Sequence, residues 1–366
     1  MVEPYRAAVI GLGWMGMMYD LAPRAADRFD VDDVDRPMPD LDIHRQFHHH
    51  DHPGEEGNPD SYAEAMYDRP ETELIAAADR DVKRLDVFRE RYGIDTVFDD
   101  AEQMLREVKP EIVGVATNTK HRADLTCLAV ECGAKAIMTE KPMAHTLEEV
   151  DRMVSTCANA GVPLSCGSIS TTHPSFAVAK RLLTEGAIGE LISIETPGPF
   201  AQHQNWSYFL DQRPQGVVGI GDEPRQESGS SEFRGQGMAF TEGGPVLHFR
   251  AGAPGVRLTG ATGEMIYGFS PGWQLWKDVG FEGRTVRSEF PWPSPNFNIP
   301  YGGIYQLDDL LLCLAGEMDE PKNSGRRVGI ALEVEVALKQ SAAQGGVKVE
   351  LPLADRSLGL DYDWFR

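Results

Sequence analysis

Cysteine is sparse in this 366-residue chain and forms no pattern. The five cysteines (Cys127, Cys132, Cys157, Cys166 and Cys313) are odd in number, scattered and free of C-x-x-C pairs. That argues against a disulfide framework and leads us to expect reduced core thiols in a cytoplasmic protein. Positive charge is also short: 35 Lys and Arg stand against 57 Asp and Glu, a formal charge of −22. Such a balance speaks against nucleic acid and against anionic membrane surfaces as partners. No apolar run reaches the roughly 18 residues that a spanning helix needs. The first apolar stretch is short and opens a glycine turn, so no signal peptide is expected. What remains is the composition of a globular protein, long enough for two domains because single cores stop growing near about 250–300 residues.

The first thing present is Ala7 to Gly16, AAVIGLGWMG. A short apolar run stops at Gly11, Leu12, Gly13, Trp14, Met15, Gly16, which is G-x-G-x-x-G where a strand passes into a helix-compatible segment. Gly11 permits the tight turn, Gly13 lets a pyrophosphate approach the backbone, and Gly16 lets helix and strand come close. The helix N-terminus adds N–H groups and partial positive charge. A second strand, Leu74 to Ala78, ends in Asp79. A carboxylate there holds the adenosine ribose hydroxyls of NAD, or else caps the helix starting near Val82. Arg80 can stack on adenine or meet a 2′-phosphate, which Asp79 would repel; NAD is favoured and NADP is left open. The interval from glycines to acid far exceeds the usual ~20 residues, so residues 20–70 read as an insertion.

Further on, helical segments at Val82–Tyr92, Ala101–Val108, His121–Cys132 and Leu147–Ala160 alternate with strands at Ile112–Ala116, Ala136–Met138 and Val162–Cys166. This rhythm predicts a parallel sheet covered on both faces, a doubly wound α/β domain over residues 1–167. Past Gly167 it changes. One helix, Pro174–Glu185, precedes short β-type runs at Leu191–Thr196, Gly216–Ile220, Gly237–Thr241, Val246–Arg250, Val256–Thr259 and Glu264–Tyr267. Helices at Gln306–Leu314 and Val328–Gln344 and a run at Val347–Leu351 close the chain. Residues 168–366 are therefore expected to form an α+β domain with a mostly antiparallel sheet, and 222–236 and 291–300 to be loops.

At Glu140-Lys141-Pro142 the chain resembles the Gfo/Idh/MocA family of glucose–fructose oxidoreductases and inositol dehydrogenases. The matching stretches are VIGLGWMG, IAAADRD, KPEIVGVATNTKHRADLTCLAVECGAKAIMTEKPMAHTLEEV, RLLTEGAIGEL and LEVEVALKQSAAQGGVKVELP. The resemblance implies a Rossmann domain, a second domain with an open-faced sheet used for homo-oligomerisation, as dimer or tetramer, and NAD(P)-dependent oxidation of a secondary hydroxyl on a sugar or cyclitol. It implies that Lys141 binds the reacting oxygen and relays its proton, that Pro142 helps to set the lysine's direction, and that Glu140, Lys141 and Pro142 contact the cofactor. Thr117 and Asn118 would border the nicotinamide, and His121 the same rim. The chemistry agrees: hydride leaves carbon while a proton leaves oxygen, so a titratable donor must stand within hydrogen-bond reach of that oxygen.

One family element is absent. The D-x-G-x-H stretch that completes the proton relay corresponds to TPGPFAQHQNW at residues 196–206, with Gly198 at the Asp position and Gln202 at the His position. His203, one residue out, is the shifted candidate for the catalytic histidine, and His173 for a substrate contact beside Gln202. The gap keeps a second reading alive: an NAD-binding sugar sensor, or a redox-neutral glycosidase-type enzyme. Half of the ten histidines crowd His44–His52. His44 and His48 at i,i+4, with Asp51 or His52, have metal-ligand spacing, but without Cys partners or a recognised motif a surface loop or lid is expected, and no metal. The aromatics Trp273, Trp276, Phe290 and Trp292 are read as core or subunit contacts.

Overall fold

The computed structural model describes residues 3–20, 61–167, 169–199, 201–221, 232–268, 272–293 and 302–360, without the side chains of residues 169, 170 and 201–203. It divides into two compact units. The first comprises residues 1–144, 149–172 and 301–325, the second residues 145–148, 173–300 and 326–366. A single division at residue 167 therefore misplaces 301–325, for a reason visible in the core below.

In the first unit, β1 (Tyr5–Ile10), β2 (Thr72–Ala78), β3 (Val97–Phe98), β4 (Ile112–Val115), β5 (Ala136–Thr139) and β6 (Leu164–Cys166) form one sheet in the order β3-β2-β1-β4-β5-β6, parallel throughout. This is the doubly wound arrangement, whose strand order reverses between β1 and β4 and opens a crevice at the strand C-termini. Strand β4 is buried along its whole length, as a parallel strand covered on both faces must be. The helices are α1 (Tyr62–Asp68), α2 (Val82–Tyr92), α3 (Ala101–Val108), α4 (Arg122–Glu131) and α5 (Leu147–Ala160). Asp81 caps α2 by accepting from Lys83 N–H, and Gly93 ends it in the left-handed region at φ 68°.

Two expectations change here. The stretch 20–70 is not all insertion, because α1 is a core helix: Tyr62, Ala63, Ala65 and Met66 are fully buried. Gly114 makes room for it, since a Cβ there would stand 3.0 Å from the Tyr62 ring and 3.3 Å from Met66 Cε. Helix α7 (Gly303–Leu314) completes the same core with Ile304, Leu307 and Leu310. Its apolar face is what draws 301–325 into the first unit. The histidine cluster His44–His52 and Asp51 lie outside the described residues.

The second unit is built on a nine-stranded mixed sheet: β7 (Leu191–Thr196), β8 (Gly216–Ile220), β9 (Gln236–Phe240), β10 (Val246–Phe249), β11 (Val256–Gly260), β12 (Gly263–Gly268), β13 (Gly272–Phe281), β14 (Arg284–Phe290) and β15 (Val349–Glu350). All neighbours are antiparallel except β10 and β7. Strands β13 and β14 are additional to the runs read from the sequence. Helix α6 (Pro174–Thr184) contributes Phe176, whose ring lies 5.0 Å from Tyr267 and 5.1 Å from Trp273. Helix α8 (Gly325–Ala343) approaches β8 and β9 closely: a Cβ at Gly219 would sit 2.4 Å from Leu338 O. Buried Glu333 on α8 pairs with Arg213 and Arg356 and accepts Leu353 N–H at 3.0 Å. Strands β11 and β12 alternate buried and half-exposed residues. Half-exposed Arg257 and Glu264 on these strands belong to a ribbon of alternating charge that crosses the sheet from Asp278 through Arg287, Glu264, Arg257 and Glu195 to Arg250.

Candidate active site

The candidate residues of the first unit gather at the C-terminal ends of β1, β2, β4 and β5. Gly11 leaves β1 at φ +88°, and a Cβ on it would meet Ala116 O at 2.7 Å. A Cβ on Gly16 would fall 1.8 Å from Gly11 O. Both positions thus demand glycine, one for conformation and approach, the other for approach alone. Gly13, at φ −73° and ψ −157°, precedes a widened helical turn, Trp14–Met18. Its carbonyl accepts from Met17 N–H at 2.9 Å and from Met18 N–H at 3.0 Å, and Tyr19 N–H reaches Trp14 O. The last two are i→i+5 bonds and make a π-type turn, a form found disproportionately at functional sites. Trp14 and Met15 are half-buried on it, with the Trp14 ring 5.0 Å from that of Tyr19.

Asp79 is tied to this turn. Its Oδ2 accepts Leu12 N–H at 2.6 Å and its Oδ1 accepts Asp81 N–H at 2.8 Å. Capping of α2 belongs to Asp81, so the helix-cap alternative for Asp79 falls away. Arg84 stands 3.8 Å from Asp79 Oδ2, while Arg80 is exposed. A pyrophosphate needs a bare backbone bend, and Gly11 and Gly16 pack main chain against main chain here with no side chain between. A ribose diol needs an acceptor beside it, and Asp79 stands at the end of β2.

After β4, Thr117 and Asn118 are half-buried; Thr117 Oγ1 donates to Asn118 O at 3.0 Å. His121 is exposed at the end of the single turn Thr119–His121 and makes no side-chain cap bond to α4. After β5, the peptide between Lys141 and Pro142 is cis, and Lys141 is half-buried. Its N–H donates to Glu140 Oε2 at 3.2 Å. Gly167 backs it closely: a Cβ there would sit 2.3 Å from Lys141 N and 2.8 Å from Lys141 Cβ.

Behind this turn lies a buried polar group that the sequence reading did not single out. Arg122 is wholly buried, and its guanidinium donates to Thr117 O, to Glu140 O at 2.7 Å and to Pro142 O. Burial lowers its pKa, against the opposing influence of the Cys166, Glu140 and Tyr62 side chains. Tyr62, also fully buried, donates to Glu140 Oε1 at 2.7 Å, and Gln306 Nε2 donates to Thr139 O at 3.2 Å. Burial, then the Glu140 charge, holds the Tyr62 phenol well above its ordinary range, so it remains a donor. Burial pushes the Cys166 thiol up strongly; it donates to Glu140 O at 3.5 Å. The one local signal for Arg122 was that it is the lone basic residue of its helix, in the first turn.

The remaining candidates belong to the second unit. His173 is buried and caps α6: its Nδ1 accepts Ser175 N–H at 3.1 Å and lies 2.8 Å from Ser175 Oγ. Ser175 Oγ in turn receives Trp273 Nε1–H at 3.2 Å. Gln202 and His203 lie on the helical turn Ala201–Tyr208, and their side chains are outside the described residues. Trp273 is a core residue stacked on Trp292, rings 5.2 Å apart and 11° from parallel. Among the described residues no three His, Cys, Asp or Glu side chains are placed to hold a metal ion, and no helix is long and apolar enough to cross a membrane.

Residues 58–168 match the model of an oxidoreductase family with an NAD-binding Rossmann fold. Among curated proteins, the chain is 33% identical over 129 residues to D-apiose dehydrogenase of Paraburkholderia graminis, covering 35% of this chain and 34% of that one. It is 32% identical over 127 residues to D-glucoside 3-dehydrogenase of Escherichia coli, covering 34% and 35%. The match thus spans about a third of the length of these relatives. Among solved structures, aldose-aldose oxidoreductase from Caulobacter crescentus, complexed with glycerol, superposes with a TM-score of 0.64 at 19% identity, covering 95% of this chain and all of that one. An Agrobacterium radiobacter oxidoreductase solved with NAD+, L-tartaric acid and magnesium gives 0.63 at 17%, covering 95% and 98%. At these identities the likeness is one of fold.

Proposed function

From the chain's membership of the Gfo/Idh/MocA oxidoreductase family, we propose that it transfers hydride between NAD and a secondary hydroxyl of a sugar, cyclitol or related polyol. The observation that carries this reading is the side-chain-free bend at Gly11 and Gly16, with Asp79 bonded to Leu12 N–H. It is a cradle for a pyrophosphate with a ribose acceptor at its edge, on the same sheet end as Lys141.

Gly11, Gly13 and Gly16 would let the pyrophosphate approach main chain, with Trp14 and Met15 beside it. Asp79 would take the ribose hydroxyls through lone pairs not engaged with Leu12 and Asp81. Its charge favours NAD over NADP, whose 2′-phosphate would fall to Arg80. Thr117, Asn118 and His121 would line the nicotinamide side. NAD supplies the hydride acceptor. Lys141 binds the substrate oxygen, stabilises charge developing there as the proton departs, and carries that proton. Glu140 and Pro142 fix the lysine's main chain. In the second unit, Gln202 and His203 are the candidates for substrate contact. His173 is the weaker one, since its Nδ1 is engaged in capping. The partner we expect is a second copy of the chain on the half-exposed sheet face, checked by light scattering.

The test is reduced-nicotinamide absorbance with NAD and NADP against a panel of sugars, cyclitols and polyols. Turnover with NAD that falls at least ~10³-fold in Lys141→Met, while NADH still binds within threefold, is the expected result. Hydride transfer that survives this change removes the lysine from its role. Binding of NAD and a sugar with no transfer at all would favour the sensor or redox-neutral reading instead.

A further inference from the structure

We propose that Arg122 and Tyr62 are positioning residues for Lys141, holding the main chain on both sides of it so that its amine has one place to stand. This rests on the catalytic reading of Lys141 given above.

Arg122 carries the larger share of the argument. A guanidinium taken wholly out of water is expensive, several kcal/mol even after relaxation. A residue that served only to fill space would be apolar. Here the guanidinium reaches three carbonyls, those of Thr117, Glu140 and Pro142. Two of these flank Lys141 in sequence, and the third lies two residues past the end of the neighbouring strand β4. A planar fork with fixed donor directions can bridge two loops in a way a single ammonium cannot. Arg122 itself is anchored in the first turn of α4.

Tyr62 acts from another element. Its hydroxyl is 2.7 Å from Glu140 Oε1, while Glu140 Oε2 accepts the N–H of Lys141 at 3.2 Å. The Glu140 carboxylate therefore relays the tyrosine's position to the lysine backbone, and its charge also lies close enough to oppose the fall in the Arg122 pKa. Gln306 on α7 fixes Thr139 O from a third direction, and Gly167 closes the remaining side. A turn held this way has little room to drift. Drift matters, since a misplacement of about 1 Å at a reacting group lowers rates ~10²-fold.

The experiment compares Tyr62→Phe and Arg122→Lys with the unaltered full chain by steady-state kinetics, NADH titration and hydrogen exchange of the peptide over 139–143. Tyr62→Phe removes one oxygen and keeps the ring, so it decides the matter even where Arg122→Lys fails to fold. We expect kcat lower by about 5–20-fold in Tyr62→Phe and ~30–300-fold in Arg122→Lys, with KM for the sugar and Kd for NADH within threefold. Exchange at 139–143 should quicken while β1 and β2 keep their protection. Adding Tyr62→Phe to Glu140→Gln should cost less than the two single changes together, because the tyrosine acts in part through that carboxylate, its hydroxyl also lying 2.9 Å from Thr139 O. The proposal is overturned by kcat within twofold of the parent, by losses shared equally between kcat and NADH affinity, or by unchanged exchange at 139–143. Should the parent bind NADH without turning over any sugar, the hydride-transfer reading fails, and exchange over 139–143 alone then supports or overturns the positioning role.

Discussion

Two turns of the same sheet are built on opposite plans. The bend after β1 is made by subtraction: Gly11 and Gly16 come so near each other and Ala116 that no Cβ fits. The turn after β5 is made by addition, with Tyr62, Arg122 and Gln306, three elements distant in sequence, converging on Thr139, Glu140 and Pro142. A phosphate asks only for exposed main chain, which glycine supplies locally. A proton-carrying amine asks for a fixed point in space, and that takes rigid groups pressing from several sides.

The contrast is best broken at Gly16. Gly16→Ala puts a methyl 1.8 Å from Gly11 O, so the bend must open. NADH affinity should fall at least ~100-fold, and thermal stability should drop by several kcal/mol, as overpacked sites do; titration and calorimetry check both. Gly167→Ala is the counterpart at the second turn. Its methyl would stand 2.3 Å from Lys141 N, so kcat should fall ~10–100-fold with NADH affinity held within threefold. Equal losses in both quantities would erase the distinction between the two turns.

Glu140→Gln sharpens the comparison through stability. It leaves Arg122 buried without its compensating charge, which should cost about 2–4 kcal/mol in urea unfolding. An effect below half of that would mean the carbonyls alone satisfy the guanidinium.

The smallest effect is chemical. Burial keeps Cys166 a thiol behind the lysine turn, so iodoacetamide at pH 8 should leave it unlabelled in the parent and label it in Gly167→Ala. Cys157 is an internal control: burial first, then Cys127, pushes its thiol up to about 12. Its thiolate fraction at pH 8 is then on the order of 10⁻⁴. The sign for stability follows: folded Cys157 keeps a proton that the unfolded chain loses above about pH 9, so this group's contribution weakens as pH rises from there toward 12. Labelling of Cys157 before unfolding would contradict its burial.

The same contrast explains what was legible. The glycine bend, Asp79 and the alternation of strands and helices through Cys166 are local patterns, with spacings set by turn geometry and helical period. Arg122, Tyr62 and Gln306 are not, because nothing near residue 62 or 306 refers to residue 140. Tyr62 was further hidden because α1 is only seven residues long and follows a Pro-, Asp- and His-rich stretch, so it read as insertion. Strand β13 escaped because glycine and aromatics masked its alternation, and β14 because its residues are mostly exposed and polar, with no buried face to alternate. Once paired, Trp273 and Leu275 point inward while Gln274 and Trp276 are half-exposed.

Helix α7 has a consequence for how the polypeptide is born. Ile304, Leu307 and Leu310 finish a hydrophobic cluster whose other members begin at Ala7. A nascent polypeptide leaving the ribosome must therefore carry an incomplete nucleotide-binding half until translation has passed residue 325. At roughly 5–20 residues per second, the interval from residue 172 is on the order of 10–30 s. Throughout it, apolar surface stays uncovered, and a chaperone would find its first client there.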